Sequence, residues 1–270
     1  MAVIAGLNFY PVKGCKGIGV RQATLAETGL LYDRHWMVVD ATGRFVTQRE
    51  LPRMALISTS IDGSALTLAA PGVAGLRVPL ILPGPALSVT VWRDTCSGID
   101  QGTSAAAWLS AFLRQDLRLV RFDSSMRRRS DRHYTGEDDA HTEFADGFAL
   151  LVISEASLAD LNSRLEAPVP MNRFRPNLVI ASVGAYDEDH LLALGNDRVE
   201  LRIVKPCARC PVTTTDQDTA NVGIEPLRTL QTYRQHPIMG SATFGQNAIV
   251  VRGAGSILRV GDTLEETWSF

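Results

Sequence analysis

Short apolar runs separated by turn-forming residues fill the first third of the chain. Residues 36–40 and 45–47 flank the turn 41–44, and this pattern predicts a β-hairpin. Residues 103–113 differ, because their apolar positions fall on one side at helical period and predict a helix. Strands at the spacing seen here indicate a small barrel or sandwich. The further predicted strands of this part are 55–61, 66–68 and 87–92.

A polar stretch, residues 122–144, separates the two halves of the chain. It carries three successive arginines, 127–129, and predicts a linker or a long functional loop. These arginines could clamp an anion, and the alternative is a solvated, mobile loop. Ser154 is suited to N-cap a helix over 155–165. The other elements predicted in this half are strands at 149–153, 178–180, 199–204, 248–251 and within 255–262, and a helix from Pro226 to about residue 235.

Composition narrows the class of protein. With 45% hydrophobic and 21% charged residues among 270, the chain can build a sizeable core. A formal net charge of -2 argues against general nucleic-acid binding. The N-terminus lacks the charged region of a secretory signal, and no apolar run approaches the roughly 18 residues that span a bilayer. We therefore expect a cytoplasmic protein that neither binds nucleic acid nor spans a membrane.

Two cysteines flank an arginine in the segment Cys207-Ala208-Arg209-Cys210, and a chemical centre is expected at one of these thiols. A thioredoxin-like pair would begin a helix, but Pro211 and a Thr-rich, β-prone run follow. Structural zinc and ferredoxin-type clusters need further ligands at suitable spacing. Buried structural thiols and a metal thiolate remain open, and the thiolate, with Arg209 near an anionic ligand, fits best. The chain has four cysteines, at positions 15, 96, 207 and 210.

Two further clusters carry positive charge. Arg173 and Arg175, two residues apart, would project to the same side of an extended chain and suit a ligand with several anionic oxygens. The alternative is a surface charge pair beside a strand. Lys13 and Gly14 lie in a Lys/Gly loop that lacks the Walker spacing and is weak by itself.

Six segments, in order along the chain, together resemble one family. They are Tyr10-Pro11-Val12-Lys13, Asp33-Arg34-His35-Trp36, Ser154-Glu155-Ala156-Ser157-Leu158, Arg173-Phe174-Arg175-Pro176-Asn177, Cys207-Ala208-Arg209-Cys210 and Phe244-Gly245-Gln246-Asn247. They resemble MOSC proteins, whose domain is named for the molybdenum-cofactor sulfurase C-terminus and follows a β-barrel partner domain. Relatives include the mitochondrial amidoxime-reducing component and bacterial proteins that detoxify N-hydroxylated bases.

This resemblance implies a mainly β, α+β fold with peripheral helices. It places an N-terminal MOSC-associated β-barrel domain at residues 1–122 and a MOSC β-barrel domain at residues 123–270. It also implies a molybdenum cofactor, with no requirement for pyridoxal phosphate. Cys210 is the implied metal ligand and catalytic residue, whereas Cys207 matches a position that does not ligate the metal.

The resemblance further implies a set of cofactor contacts. Gly14 and Ala208 stand where some relatives have serine, and Gly147 where a hydroxyl residue can occur, so the hydroxyl contacts there are either missing or replaced by backbone contacts. The implied cofactor-binding residues are Lys13, Gly14, Arg34, Asp146, Gly147, Arg173, Arg175, Ala208, Arg209 and Cys210.

The implied activity is reduction of small N-hydroxylated or N-oxide compounds. Some bacterial relatives carry a C-terminal ferredoxin domain, and because this chain ends at Phe270 we expect a separate electron donor. That donor would be a ferredoxin-like protein, a cytochrome or a flavoprotein reductase. Two alternatives are a non-catalytic carrier of the cofactor and a sulfur-transfer protein that works through a persulfide.

Overall fold

Strands dominate the first half of the chain. The structure, a computed structural model, describes residues 1–269. The helix α1 (Gly102–Leu113) and a short 3-10 helix, Pro52–Leu56, interrupt the strands. The strands of this half are β1 (Ala2–Phe9), β2 (Ile18–Val20), β3 (Gln22–Ala26), β4 (Gly29–Leu30), β5 (Trp36–Asp40), β6 (Ser58–Ile61), β7 (Ala65–Ala70), β8 (Val73–Pro79), β9 (Ala86–Val91), β10 (Asp94–Asp100) and β11 (Leu117–Phe122).

The second half mixes strands with short helices. Its strands are β12 (Arg128–Arg129), β13 (His141–Thr142), β14 (Leu150–Ser154), β15 (Leu178–Ala181), β16 (Leu191–Gly195), β17 (Glu200–Ala208), β18 (Thr243–Arg252), β19 (Ile257–Arg259) and β20 (Thr263–Trp268). Its helices are α2 (Arg132–Thr135), α3 (Glu155–Ser163) and α4 (Leu227–Tyr233), with 3-10 helices at Met171–Arg173, Asp187–His190 and Pro211–Thr214. No helix in the described part of the chain is long and apolar enough to cross a membrane.

Within residues 1–269, seven strands close into a barrel in the order β15, β14, β18, β17, β16, β20 and β1. The pairing of β1 with β15 completes the ring, and only β14 and β15 run parallel. Side chains such as Ile4, Leu7, Leu201 and Leu264 fill its interior. The N-terminal strand thus belongs to a barrel built mainly from residues 150–268. The domain boundary between residues 122 and 123 stays a prediction.

Strand β2 pairs with β1, and β3 and β4 form a small sheet with β19, whereas strands β5 to β11 make up a half-barrel. The sheet β5-β11-β10-β9 and the meander β6-β7-β8 lie beside α1, which packs on β8 and β11. Trp36, Leu66 and Leu109 are fully buried in their shared core. One face of each sheet packs against this core, so apolar and polar residues alternate along its strands. This alternation is what made the strands predictable from the sequence. The predicted mainly β fold with peripheral helices is confirmed.

Several local predictions need correction. Residues 45–47 do not form a full hairpin strand, since Phe45 makes only an isolated bridge with Val39. The strand predicted at 55–61 is wrong in its first part, where the 3-10 helix Pro52–Leu56 ends. Proline at its first position fixes φ in the helical range, which favours that turn over an extended chain.

The stretch 122–144 is not a bare linker. Strands β12 and β13 pair within it, and the Asp131 carboxylate caps α2 by accepting the His133 N–H at 2.9 Å. Arg128 is buried and donates to the carbonyls of Glu143 at 2.8 Å and Ala145 at 2.5 Å. Its guanidinium therefore fastens the stretch to the protein instead of clamping a free anion.

Helix ends follow the capping rules. The predicted helix at 103–113 is confirmed as α1, and Ser154 caps α3 by accepting the Ser157 N–H at 2.9 Å. Helix α3 ends at Ser163, two residues earlier than predicted. Pro226 is the N-cap of α4 and not its first residue, and α4 ends at Tyr233.

Candidate functional site

One cavity, of about 340 Å³, gathers the residues that the sequence had singled out. Its volume lies at the lower end of the range for small-molecule sites, roughly 300–1,000 Å³. Loops from both the barrel and the half-barrel line it. Every predicted site residue is on its wall: Lys13, Gly14, Arg34, Asp146, Gly147, Arg173, Arg175, Ala208, Arg209 and Cys210.

The lining of the cavity is strongly cationic. Of the described residues that line it, Asp146 is the one carboxylate. Because several of these cations are partly or fully buried, their charges act at a lower effective dielectric than charges at the surface. The cavity is therefore suited to an anionic ligand. The basic lining residues are Lys13, Arg34, Arg49, Arg173, Arg175, Lys205 and Arg209.

The Cys207–Cys210 turn lies where β17 leaves its ladder with β18. The register shifts between residues 203 and 205 and again between 206 and 208, and such bulges bend a strand. The Asn247 side-chain amide stabilises the bend, because it donates to the carbonyls of Lys205 and Pro206 at 3.2 and 3.4 Å. The bend directs the turn toward the cavity.

Cys210 has an extended backbone and N-caps the 3-10 helix Pro211–Thr214. Its carbonyl accepts from the backbone N–H and the hydroxyl of Thr213, both at 3.1 Å. The β-prone run predicted after Pro211 is therefore wrong. Proline at the first helical position and the two Thr213 bonds favour the helical turn. Cys210 is thus held rigidly at the cavity wall.

Cys207 differs from Cys210 although both thiols are free and line the cavity. Cys207 packs against the apolar cluster around Phe174 and Phe244. Burial raises the pKa of the Cys207 thiol, although Arg209 acts in the opposite direction. A raised pKa disfavours the thiolate, which is the form that binds metals.

Tyr10 is sandwiched between two cavity arginines. The guanidinium carbons of Arg34 and Arg175 lie 4.1 and 4.2 Å from its ring centroid. The Tyr10 hydroxyl donates to the Pro176 carbonyl at 3.0 Å. Burial raises the pKa of Tyr10 to about 12, so the ring stays neutral between its two cations. The aromatic face brings two like charges close together at the cavity floor.

The two sandwiching arginines differ in how many partners they have. Arg34 donates to the Asp33 carboxylate at 2.6 Å, to Asn177 at 3.2 Å and to the Arg175 carbonyl at 3.2 Å. Arg175 donates within the described chain only one long bond, 3.4 Å to Gln217. Burial lowers the pKa of Arg175 to about 10. Arg175 thus offers a ligand most of its N–H donors.

Arg173 and Arg209 are tied to backbone carbonyls. Arg173 donates to the Thr213 carbonyl at 2.8 Å, and Arg209 donates to the carbonyls of Phe244 at 2.8 Å and Phe174 at 3.0 Å. Burial lowers the pKa of Arg173. Both side chains supply fixed positive charge to the wall and join loops that are far apart in sequence.

The extended backbone expected for 173–175 is wrong. Arg173 ends the 3-10 helix Met171–Arg173, and Arg175 has φ +58°. The two side chains still reach the same cavity, because the chain turns between them. The shared cavity therefore does not depend on the extended geometry that was expected, and the binding role of the two arginines stays a prediction.

An ion pair marks the rim of the cavity. The Lys13 ammonium bonds Asp146 Oδ1 at 2.5 Å and the Phe144 carbonyl at 2.7 Å, and the Trp92 indole N–H donates to the same Oδ1 at 2.9 Å. Burial lowers the pKa of Lys13, which Asp146 partly offsets. Enclosure alone would raise the pKa of Asp146, but Lys13 and Trp92 hold it below its usual range. Asp146 therefore remains ionised.

The two glycines of the predicted site, Gly14 and Gly147, differ in how closely they are surrounded. Gly14 has φ +83°, and a Cβ there would lie 2.9 Å from Cε at the flexible end of Met54, so a side chain would be strained. Gly147 has open space around it. The Gly14 carbonyl accepts from Gln48 at 2.7 Å, and Gln48 in turn bonds Gln217.

Sequence analysis missed several lining residues. Arg49, Trp92, Phe148 and Met239 line the cavity but lie outside every motif. Trp92 was expected at the end of a strand, whereas β9 ends at Val91 and Trp92 begins a tight turn. No local pattern in the sequence marks these four residues. Within residues 1–269 no group of three His, Cys, Asp or Glu side chains is arranged to hold a metal ion.

Two family models match the chain. The MOSC N-terminal beta barrel domain matches residues 1–116, and the MOSC domain matches residues 139–265. Together they span every residue named above as lining the cavity.

Known relatives match over nearly the full chain. Mitochondrial amidoxime-reducing component 1 of Mus musculus is 40% identical over 97% of this chain and 81% of the mouse protein. The human protein of the same name is 38% identical, covering 97% of this chain and 82% of its own length. Mitochondrial amidoxime reducing component 2 of Bos taurus is 37% identical over 87% of this chain and 73% of the bovine protein.

Proposed function

This chain belongs to the MOSC-domain family that includes the mitochondrial amidoxime-reducing components, and on that premise we propose that it is a molybdenum-cofactor-dependent reductase of N-hydroxylated compounds. A separate electron donor supplies the reducing equivalents. The observation that carries the proposal is that Cys210 and the sparsely bonded Arg175 line one cation-rich cavity.

The residues present fit the implied cofactor. A cysteine thiolate is a soft ligand that suits a metal already bound by sulfur, and Cys210 is held at the wall by its capping turn. Guanidinium groups pair with phosphate in a bidentate way, and Arg175 has donors to offer. Lys13 and Asp146 present one cation and one acceptor at the rim for the polar ring system.

The protein contributes orientation and charge. When bound, the cofactor supplies a two-electron redox centre able to remove oxygen from an N–OH group. Converting N–OH to N–H and water consumes two electrons and two protons, which explains the need for a reducing partner. Arg209 and Arg173, fixed by backbone carbonyls, would keep positive charge in place beside the bound cofactor and substrate, where it would favour the build-up of negative charge.

Metal analysis and turnover together test the proposal. Purified protein should contain molybdenum and reduce benzamidoxime to benzamidine with dithionite-reduced methyl viologen. Cys210→Ala should lose this turnover to the background of the reductant alone, because the soft ligand is gone. Cys207→Ala is the matched control and should keep both metal and turnover, since its thiol packs in an apolar cluster.

Other outcomes would identify the alternatives. Molybdenum without turnover of any N-hydroxylated compound would favour a cofactor carrier. A cyanide-labile sulfur on the protein, with no molybdenum, would favour sulfur transfer. Turnover by Cys210→Ala equal to that of the unchanged protein would exclude Cys210 as the metal ligand.

A further inference from the structure

Trp92 occupies a position where a large side chain is costly. Val91 pairs with Asp94, so Trp92 and Arg93 form a two-residue loop between β9 and β10. Trp92 has φ +58°, and glycine is the usual residue at the first position of such a turn. A bulky residue at positive φ is an outlier, and such outliers cluster at ligand sites.

Three neighbours from distant segments fix the orientation of the Trp92 ring. Its indole N–H donates to Asp146 Oδ1 at 2.9 Å. The Arg49 guanidinium lies 4.5 Å from the ring, and the Phe45 ring lies 5.0 Å away. Despite these contacts Trp92 is 47% exposed, and it lines the cavity. The ring is therefore held in place while part of its surface stays open.

The rim differs chemically from the interior of the cavity. Arg34, Arg175 and Arg209 are partly buried and suit an anion, whereas the exposed Trp92 and its neighbour in the lining, Phe148, give the same cavity aromatic surface. Aromatic faces bind flat apolar groups and add little to the binding of phosphate. Trp92 and Phe148 thus add an apolar contact surface that a phosphate would not use.

We infer that Trp92 is a specificity-determining residue that favours flat, aromatic N-hydroxylated substrates by contact with their ring. This inference rests on the proposed function. The preference lies at the rim, where the substrate ring contacts Trp92 while its N–OH group points inward. The same contact is missing for a small alkyl substrate, which has no ring to place there.

A substrate pair measures this contact directly. The value compared is kcat/KM for benzamidoxime divided by kcat/KM for acetamidoxime, with artificial reductant. An aromatic pair contributes about 0.5–1.5 kcal/mol, so Trp92→Gly should lower the ratio about two- to tenfold. Trp92→Phe keeps a ring and should retain most of the ratio. Arg93→Ala, in the same turn and exposed, should leave the ratio unchanged.

Trp92→Gly should leave the turn between β9 and β10 intact, because glycine adopts a positive φ without strain. Molybdenum content should match that of the unchanged protein. An unchanged ratio with full metal content would overturn the inference, as would loss of molybdenum, which would assign Trp92 to cofactor binding. Equal losses in Trp92→Phe and Trp92→Gly would also overturn the inference, because they would assign the effect to the indole N–H and not to the ring. If the unchanged protein turns over neither substrate, the proposed function itself fails.

Discussion

Replacing Tyr10 separates the two ways in which it holds the cavity floor. Tyr10→Phe removes only the hydroxyl that donates to the Pro176 carbonyl at 3.0 Å. Tyr10→Leu also removes the ring between Arg34 and Arg175, whose guanidinium carbons lie 4.1 and 4.2 Å from its centroid. The two variants therefore divide the hydroxyl contribution from that of the cation–π sandwich.

The magnitudes follow from these contacts. A buried hydrogen bond contributes about 1 kcal/mol, so Tyr10→Phe should lower the free energy of unfolding by about that amount. Each desolvated cation–π contact contributes about 1–2 kcal/mol, so Tyr10→Leu should cost a further ~2–4 kcal/mol. Without the ring, Arg34 and Arg175 also face each other as like charges.

Urea unfolding of the cofactor-free protein, followed by far-UV circular dichroism, measures both losses. Tyr10→Phe serves as the control for the hydroxyl. If Tyr10→Phe and Tyr10→Leu lose the same free energy, the sandwich contributes nothing and the reasoning is refuted. Molybdenum content should fall more in Tyr10→Leu, because Arg34 and Arg175 are then no longer held at the floor.

The same residue predicts a pH dependence. Burial raises the pKa of Tyr10 to about 12, above the value of about 10 in an unfolded chain. Between these values the unfolded state loses the proton and the folded state keeps it. Stability is therefore full below pH ~10 and falls toward pH ~12 by about 2–3 kcal/mol. Tyr10→Phe lacks this fall, and parallel pH profiles for the two proteins would contradict it.

Two further predictions concern the supports of the site. Gly245→Ala should lower the free energy of unfolding by about 3 kcal/mol, because φ is +74° and the new Cβ would lie 2.5 Å from Ile153 Cγ1. Gly72→Ala, at φ +76° in open space, should cost only about 1 kcal/mol, and equal losses would refute the clash. Arg209→Lys should lower the free energy of unfolding by about 1–2 kcal/mol, because one ammonium group cannot reach the carbonyls of both Phe174 and Phe244. Thermal unfolding measures this loss, and an unchanged midpoint would refute the prediction.

Local chemistry in the sequence led to residues that line one cavity. A thiol pair beside Arg209, and arginines at 173 and 175, are patterns whose side-chain chemistry does not depend on backbone geometry. For that reason they lead to the same cavity even though residues 173–175 are not extended. The roles given to these residues in binding a cofactor stay predictions.

Trp92 and Arg49 could not be found in the same way. The bond between Trp92 and Asp146 joins residues 54 positions apart, and no local pattern records it. Arg128 shows the opposite error. The sequence predicts either an anion clamp or a solvated loop at residues 127–129, but the Arg128 guanidinium is buried and donates to the carbonyls of Glu143 and Ala145.

The sequence alone determined the strand periodicity, the cap at Ser154 and the chemical types of the site residues, because these depend on near neighbours and on the side chains themselves. The fold decided the closure of the barrel by β1 and β15 and the sandwich around Tyr10. The Tyr10 hydroxyl meets a carbonyl 166 residues away, at Pro176. Contacts between residues so far apart in sequence determine which side chains are buried. Burial and these contacts in turn determine which guanidinium groups have N–H donors left for a ligand and which pKa values shift.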